Sequence, residues 1–318
     1  MTPILEIEEL QIWAGAPGGR RTLVHGLSLT VGPGEVLGLI GESGSGKTMT
    51  AAAVLRLLPE GVEAQAAALR FMGQDMAGLD APGFDRLRGV SMAMIFQDPA
   101  GAFNPAKTIG WHFDHTLRRA GNEGGRAMAA ALLREAGVAR AEPVLAQYAH
   151  QLSGGMLQRA LIALVLALKP ALIVADEPTT NLDAIVGRQV IALFREVQQR
   201  LRASFLYITH DLASARTFCD RIAVMYAGQV VEQGAAASML ERPRHPYSQG
   251  LLAAATELAQ RPRRLQEIAG EPGAARPRNG CSFAPRCHLV HAACLERDPG
   301  LRPQADGSSV RCVLHDAA

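Results

Sequence analysis

Val36-Leu-Gly-Leu-Ile40 runs directly into Gly41-Glu-Ser-Gly-Ser-Gly-Lys47-Thr48, and an alanine-rich run, Ala51-Ala-Ala-Val54, follows. A short apolar strand, a glycine-rich loop ending in Lys-Thr and a helical run are the sequence and the context of a P-loop. Glycines let successive backbone N–H groups converge on phosphate oxygens, and the N-terminus of the helix beyond adds partial positive charge. Gly41, Ser43, Gly44, Ser45, Gly46, Lys47 and Thr48 are therefore the candidate phosphate-binding residues. Lys47 suits a bridge between β- and γ-phosphates, and the Thr48 hydroxyl is a hard oxygen ligand for Mg²⁺.

Outward from this stretch, four more apolar runs of similar length recur: Met92–Ile95, Ala171–Ala175, Phe205–Ile208 and Ile222–Met225. Runs that lack alternation suit strands buried on both faces, so the spacing predicts an α/β fold around a largely parallel sheet. Between about Asn104 and Leu168 the strand signal disappears and helical stretches such as 126–137 take over, which predicts an inserted helical subdomain. A further helix is expected over 245–258, with Arg261-Pro-Arg-Arg264 and Gly270-Glu-Pro-Gly273 marking a linker behind it.

Leu172-Ile-Val-Ala-Asp176-Glu177 is an apolar strand that delivers two carboxylates to its C-terminal edge, where ligands of α/β sheets sit. Asp176 suits the outer shell of Mg²⁺, and Glu177 is placed to polarise a water for in-line attack on a γ-phosphate.

The chain has 318 residues, 48% hydrophobic and 19% charged, with 32 Lys+Arg against 30 Asp+Glu. That composition excludes a disordered or fibrous chain, and the length suffices for a substantial core. The longest unbroken apolar run, Ala160–Leu168, is far short of the roughly 20 residues of a membrane-spanning helix. The first residues, Met1-Thr2-Pro3-Ile4-Leu5-Glu6, carry neither a basic head nor a long apolar core, so the expectation is a chain without a secretory signal, placed in the cytoplasm. A net charge of +2 with scattered arginines gives no field for non-specific polyanions, and no nucleic-acid partner is expected.

Leu152-Ser153-Gly154-Gly155-Met156-Leu157-Gln158-Arg159 lies just before the acid pair, and with it the sequence resembles the ATP-binding subunits of ABC transporters. The resemblance covers essentially the whole chain. It implies the fold of a P-loop NTPase, the RecA-like ABC nucleotide-binding domain with a helical subdomain, and an ATPase coupled to transport with ATP and Mg²⁺ as ligands. The implied layout is an ATPase domain over 1–258 with the helical subdomain at about 98–168, a linker over 259–280 and a small cysteine-containing extension over 281–318.

Residue by residue, the resemblance implies that Ser153, Gly154 and Gly155 face the γ-phosphate of a nucleotide held by a second ATPase subunit. Read alone, Ser153 is the kind of residue that caps the helix following it, the lesser reading beside these neighbours. Met156 stands where Gln is frequent in the family. Gln97 resembles the family's Q-loop residue, which touches Mg²⁺ and the helical subdomain. His210 resembles the switch histidine that fixes the attacking water, and Asp183 the D-loop acid at the dimer seam. Trp13 has the position of the aromatic that stacks on adenine, although a half-buried strand tryptophan is the competing reading.

Gly41-Glu-Ser-Gly-Ser45, Ala102-Phe-Asn-Pro105 and His245-Pro-Tyr247 look like the oligopeptide, dipeptide and nickel importer branch. Gly280-Cys281-Ser-Phe-Ala-Pro-Arg-Cys287, followed by Cys294 and Cys312, is similar to the C-terminal extension of peptide-importer ATPases, which ranks peptides before nickel or metallophores as cargo. A soluble ABC ATPase outside transport is the alternative of another class. The implied partners are a related but different second ATPase chain, two transmembrane permease subunits and a periplasmic or extracellular substrate-binding protein. Such an assembly would hold the chain peripherally at the cytoplasmic face of the membrane.

The spacing C-x5-C-x6-C-x17-C does not match short zinc knuckles. The resemblance implies that some members hold a [4Fe–4S] cluster on four such thiolates; zinc and plain reduced thiols are the other readings. Cys219, away from the other four, reads as a small core residue.

Overall fold

The computed structural model describes residues 2–16, 19–260, 268, 270 and 279–316. Much of the linker expected over 259–280 lies outside the described residues. The chain divides into two compact units, one of Met1–Leu5, Val31–Glu35 and Phe71–Tyr207, the other of Glu6–Thr30, Val36–Arg70 and Ile208–Ala318.

In the second of these, the strand Val36–Ile40 is buried along its whole length and runs parallel to Arg221–Tyr226, with Leu37 level with Arg221 and Ile40 with Val224. Burial on both faces is what its unbroken apolar pattern predicts. Arg221–Tyr226 pairs on its other edge, antiparallel, with Gln229–Ala235. The C-terminal tail extends this edge: Ser309–Val310 pairs with Gln229–Ala235, and Arg302–Pro303 with Ser309–Val310. Cys219 closes the helix Leu212–Phe218 and is buried; a Cβ on Gly38 would lie 2.7 Å from its Sγ, so the two residues interlock and the core reading holds. A separate antiparallel layer is built on Leu5–Ala16, which pairs with Val62–Gln65 and places Trp13 opposite Glu63.

The other unit contains the parallel strands Met92–Ile95 and Leu172–Asp176, with Ile95 level with Ala175. The strand is shifted by one residue from the apolar run Ala171–Ala175, so that Asp176 is its last residue and is buried with the rest of it. The expected helical region contains Ile109–Arg119, Arg126–Glu135, Ala141–Val144 and Gly154–Leu168. Ile109, Phe113 and Leu117 recur at helical spacing and are buried, as are Ala129, Ala130 and Leu133, so each helix turns one apolar stripe inward. Among the described residues no helix is long and apolar enough to cross a membrane.

Candidate functional site

The P-loop leaves the C-terminal end of Val36–Ile40 at a point where no side chain fits. A Cβ on Gly41 would lie 2.2 Å from the carbonyl oxygen of Met225 and 2.9 Å from Ser45 Oγ. Gly46 closes the loop at φ +104°, in the left-handed region, and caps the helix Lys47–Val54. Between them the backbone curls around one side chain. Lys47 is 4% exposed, and its Nζ donates to the carbonyls of Gly41 at 2.8 Å and Glu42 at 2.9 Å and to Ser45 Oγ at 3.5 Å. Ser43, Gly44 and Thr48 lie on the exposed rim. The loop is fixed from behind as well: Gly228 N–H donates to the Ser45 carbonyl at 3.0 Å, and Glu42 N–H donates to Tyr247 Oη at 2.9 Å.

His210 belongs to the same unit. It is exposed between Thr209, whose Oγ1 accepts from Asp211 N–H at 2.9 Å, and the helix Leu212–Phe218, which Asp211 caps through Ala213 and Ser214. Trp13 is half-buried, and its Nε1 donates to Glu63 Oε2 at 2.9 Å. The Arg20 guanidinium sits 4.9 Å from the centre of its ring, so one face of Trp13 already carries a stacking partner.

The remaining site residues belong to the other unit. Gln97 and the acid pair emerge at the same end of two adjacent parallel strands, since Ile95 and Ala175 are level. Their loops are tied together: Asn181 Nδ2 donates to the Gln97 carbonyl at 3.3 Å. Asp176 is 3% exposed, whereas Glu177 turns out of the strand with φ +44°, a left-handed conformation that a glutamate adopts at a cost and that suits a functional turn. Thr180 Oγ1 donates to Glu177 Oε2 at 3.0 Å and so orients the carboxylate. Asp183 is exposed and caps the helix Ala184–Leu201, accepting from Ile185 and Val186 N–H at 3.0 Å each. Ser153 caps Gly154–Leu168 through a long contact, 3.4 Å from Met156 N–H to its Oγ. Ser153 and Gly154 are exposed, so this N-terminus presents its free amide groups outward.

Two anchors escaped the sequence. Glu42 lies inside the phosphate loop and Arg286 inside the cysteine motif of the tail, and their side chains form an ion pair at 2.8 Å. The motif Pro-Arg-Cys287 was visible; nothing local shows what its arginine meets.

The four tail cysteines share one neighbourhood. Burial chiefly, and then the proximity of the other thiols, pushes the Cys281 thiol up, and the same causes push Cys312 up to about 11. Burial likewise raises Cys287. Among the described residues no three His, Cys, Asp or Glu side chains are placed to hold a metal ion. The side chains as arranged therefore do not form the [4Fe–4S] site that the resemblance implied.

A family profile described as "ABC transporter" matches residues 24–180, and one described as "Oligopeptide/dipeptide transporter, C-terminal region" matches residues 231–294. The chain is 39% identical to the dipeptide transport ATP-binding protein DppD of Escherichia coli (strain K12) over 313 residues, 97% of this chain and 96% of the relative. It is 38% identical to the protein of the same name from Haemophilus influenzae over 304 residues, 94% of this chain and 92% of the relative. Among solved structures, a dimeric ATP-binding cassette in a post-hydrolysis state, bound to ADP and Pi, has a TM-score of 0.64 at 22% identity, covering 73% of this chain and 98% of that one. That likeness speaks to the fold alone.

Proposed function

Because the chain belongs to the ABC transporter ATP-binding family, we propose that it is the ATP-hydrolysing subunit that powers an importer of di- and oligopeptides. The observation that carries the ATPase part is the buried Lys47 ammonium at the centre of the glycine loop, a cation placed where polyphosphate oxygens converge. The peptide part rests on the match of residues 231–294 to the C-terminal region of oligopeptide and dipeptide transporters and on the dipeptide relatives.

In this reading Lys47 exchanges its carbonyl partners for β- and γ-phosphate oxygens, and the amides of Gly44 to Thr48 cradle them. Thr48, Gln97 and Asp176 carry the hard oxygen groups that would hold Mg²⁺, which would screen phosphate charge during transfer. Glu177, oriented by Thr180, takes the proton of the attacking water, and His210 and Gln97 hold that water in line. Ser153 to Gly155 and Asp183 serve a second subunit: an exposed helix N-terminus binds phosphate that a neighbour presents. Trp13 offers its remaining face to the adenine ring.

The partners proposed with this role are a second, related ATPase chain, two permease subunits and an external substrate-binding protein, which would hold the chain at the cytoplasmic face of the membrane. Uptake by the complex reconstituted with its permeases in liposomes is the test. ATP-dependent entry of labelled di- or oligopeptides, lost in Lys47→Ala, is the expected result; entry of Ni²⁺ or a metal chelate instead assigns the nickel or metallophore alternative. Iron and zinc analysis of anaerobically purified protein tests the tail: one cluster's worth of iron per chain would mean that the four thiols rearrange to ligate it.

A further inference from the structure

The residue after the first P-loop glycine is an acid, Glu42, in a loop whose proposed task is to receive polyphosphate. A carboxylate at that position repels the ligand unless its charge is compensated. Compensation comes from 244 positions along the chain: Arg286 Nη1 donates to Glu42 Oε2 at 2.8 Å and Nη2 to Oε1 at 3.2 Å. The pair is bidentate and largely withdrawn from water, with the Arg286 side chain 3% exposed and that of Glu42 25%. A fork of this kind fixes the direction of the carboxylate as well as its charge.

Arg286 is itself held in place. Its Nη2 also donates to the Ile268 carbonyl at 3.2 Å, and its guanidinium lies 5.8 Å from the centre of the Tyr226 ring. Three residues earlier, Phe283 packs edge-on against Tyr226 at 5.2 Å and at a tilt against Tyr247 at 5.4 Å. Tyr247 is the residue that receives the Glu42 N–H, and Lys47 donates to the Glu42 carbonyl. Glu42 is thus gripped at its amide, its carbonyl and its carboxylate, and two of the three grips come from residues beyond 245.

We propose that Arg286 is a positioning residue of the ATP site: it neutralises the Glu42 carboxylate and turns it away from the incoming phosphates, so that the cysteine-bearing tail completes the P-loop from outside. The proposal rests on the nucleotide-site reading above and deepens it. It assigns the tail a part in ATP affinity that needs no metal.

The full-length chain tests it through MgATP affinity and the KM and kcat of hydrolysis for the wild type, Arg286→Met, Glu42→Gln and the double variant, with Lys47→Ala as control. Arg286→Met is expected to weaken MgATP binding and raise KM by about tenfold, the effect of one uncompensated charge near the phosphates, with kcat moved far less. In the Glu42→Gln background, where there is no charge left to compensate, the same substitution should cost no more than about twofold. A penalty that persists undiminished in that background, or none in either, overturns the proposal.

If Arg286→Met does not fold, the wild type decides by reciprocity, because a tail that favours ATP binding must be favoured by it: MgATP should slow amide exchange across residues 282–287, and unchanged exchange overturns the proposal. Absence of ATP binding by the wild type would instead sink the nucleotide-site reading.

Discussion

The hydroxyl of Tyr247 accepts a hydrogen bond from the backbone N–H of Glu42 at 2.9 Å, which ties a helix late in the chain to the first turn of the phosphate loop. Tyr247 is fully buried, and burial holds its phenol pKa above the usual range, so it remains a neutral hydroxyl at every pH the protein meets. Tyr247→Phe keeps the ring against Tyr226, 4.7 Å away, but leaves the Glu42 amide without this acceptor. A loss of about 1–2 kcal/mol in denaturant unfolding is expected, together with weaker ATP binding. Unchanged stability would show that the amide finds another partner.

Gly41 tests the geometry of the loop from its other side. In Gly41→Ala the new methyl meets the Met225 carbonyl, 2.2 Å from the ideal Cβ position, and that oxygen belongs to a core strand that cannot retreat freely. The strand and the loop must separate, at a cost of about 1–3 kcal/mol, and the convergence of amides on phosphate is lost with it. Isothermal titration should find no ATP binding in a protein that circular dichroism shows to be folded.

Binding and chemistry should separate at the acid pair. Glu177→Gln keeps the shape of the side chain and the contact with Thr180 Oγ1 but removes the proton acceptor. Hydrolysis should fall by about 10²–10⁴-fold with ATP affinity retained, whereas Lys47→Ala should lose both. Equal loss of binding in the two variants would move Glu177 from catalysis to phosphate binding.

His245 sets an acid limit on stability. It is fully buried, and desolvation first, then the charge of His315, lower its pKa to about 3 against a hydrogen bond with the Arg311 backbone that raises it. In the unfolded chain the same group titrates near 6.5, so between these values the unfolded state binds the extra proton and stability rises with pH. Stability from this group is therefore complete above about pH 6.5 and is lost as the pH falls toward 3, by about 2 kcal/mol at pH 5. His245→Gln should flatten the urea midpoint between pH 7 and 5; an equally steep dependence in that variant would assign it to other groups.

Much of the fold was legible because its signals are local. The strands Val36–Ile40 and Met92–Ile95 have the bounds that their apolar runs predict, since a fully buried parallel strand needs an unbroken apolar stretch and little else. The helix Gly154–Leu168 starts where Ser153 can cap it. Asp176 and Glu177 were found together, but the left-handed turn that sends them in different directions was not, because nothing in Asp-Glu-Pro announces a positive φ at the glutamate. The cluster that the resemblance implied is not legible for a comparable reason: spacing counts cysteines, whereas ligation depends on where their Sγ atoms point, and among the described residues no three such groups are placed to hold a metal ion.

From residue order alone came the phosphate loop, the acid pair, the serine-capped helix and the parallel strands, since each depends on neighbours a few positions apart and on rules that hold in any chain. Folding in three dimensions added what order cannot contain. Lys47 is drawn inside its own loop, Trp13 shares its ring with Arg20, and Arg286 crosses 244 positions to grip Glu42. These pairings are chosen by packing, because a long-range contact forms only where the whole core brings two distant segments to the same place, and no stretch of sequence records that meeting by itself.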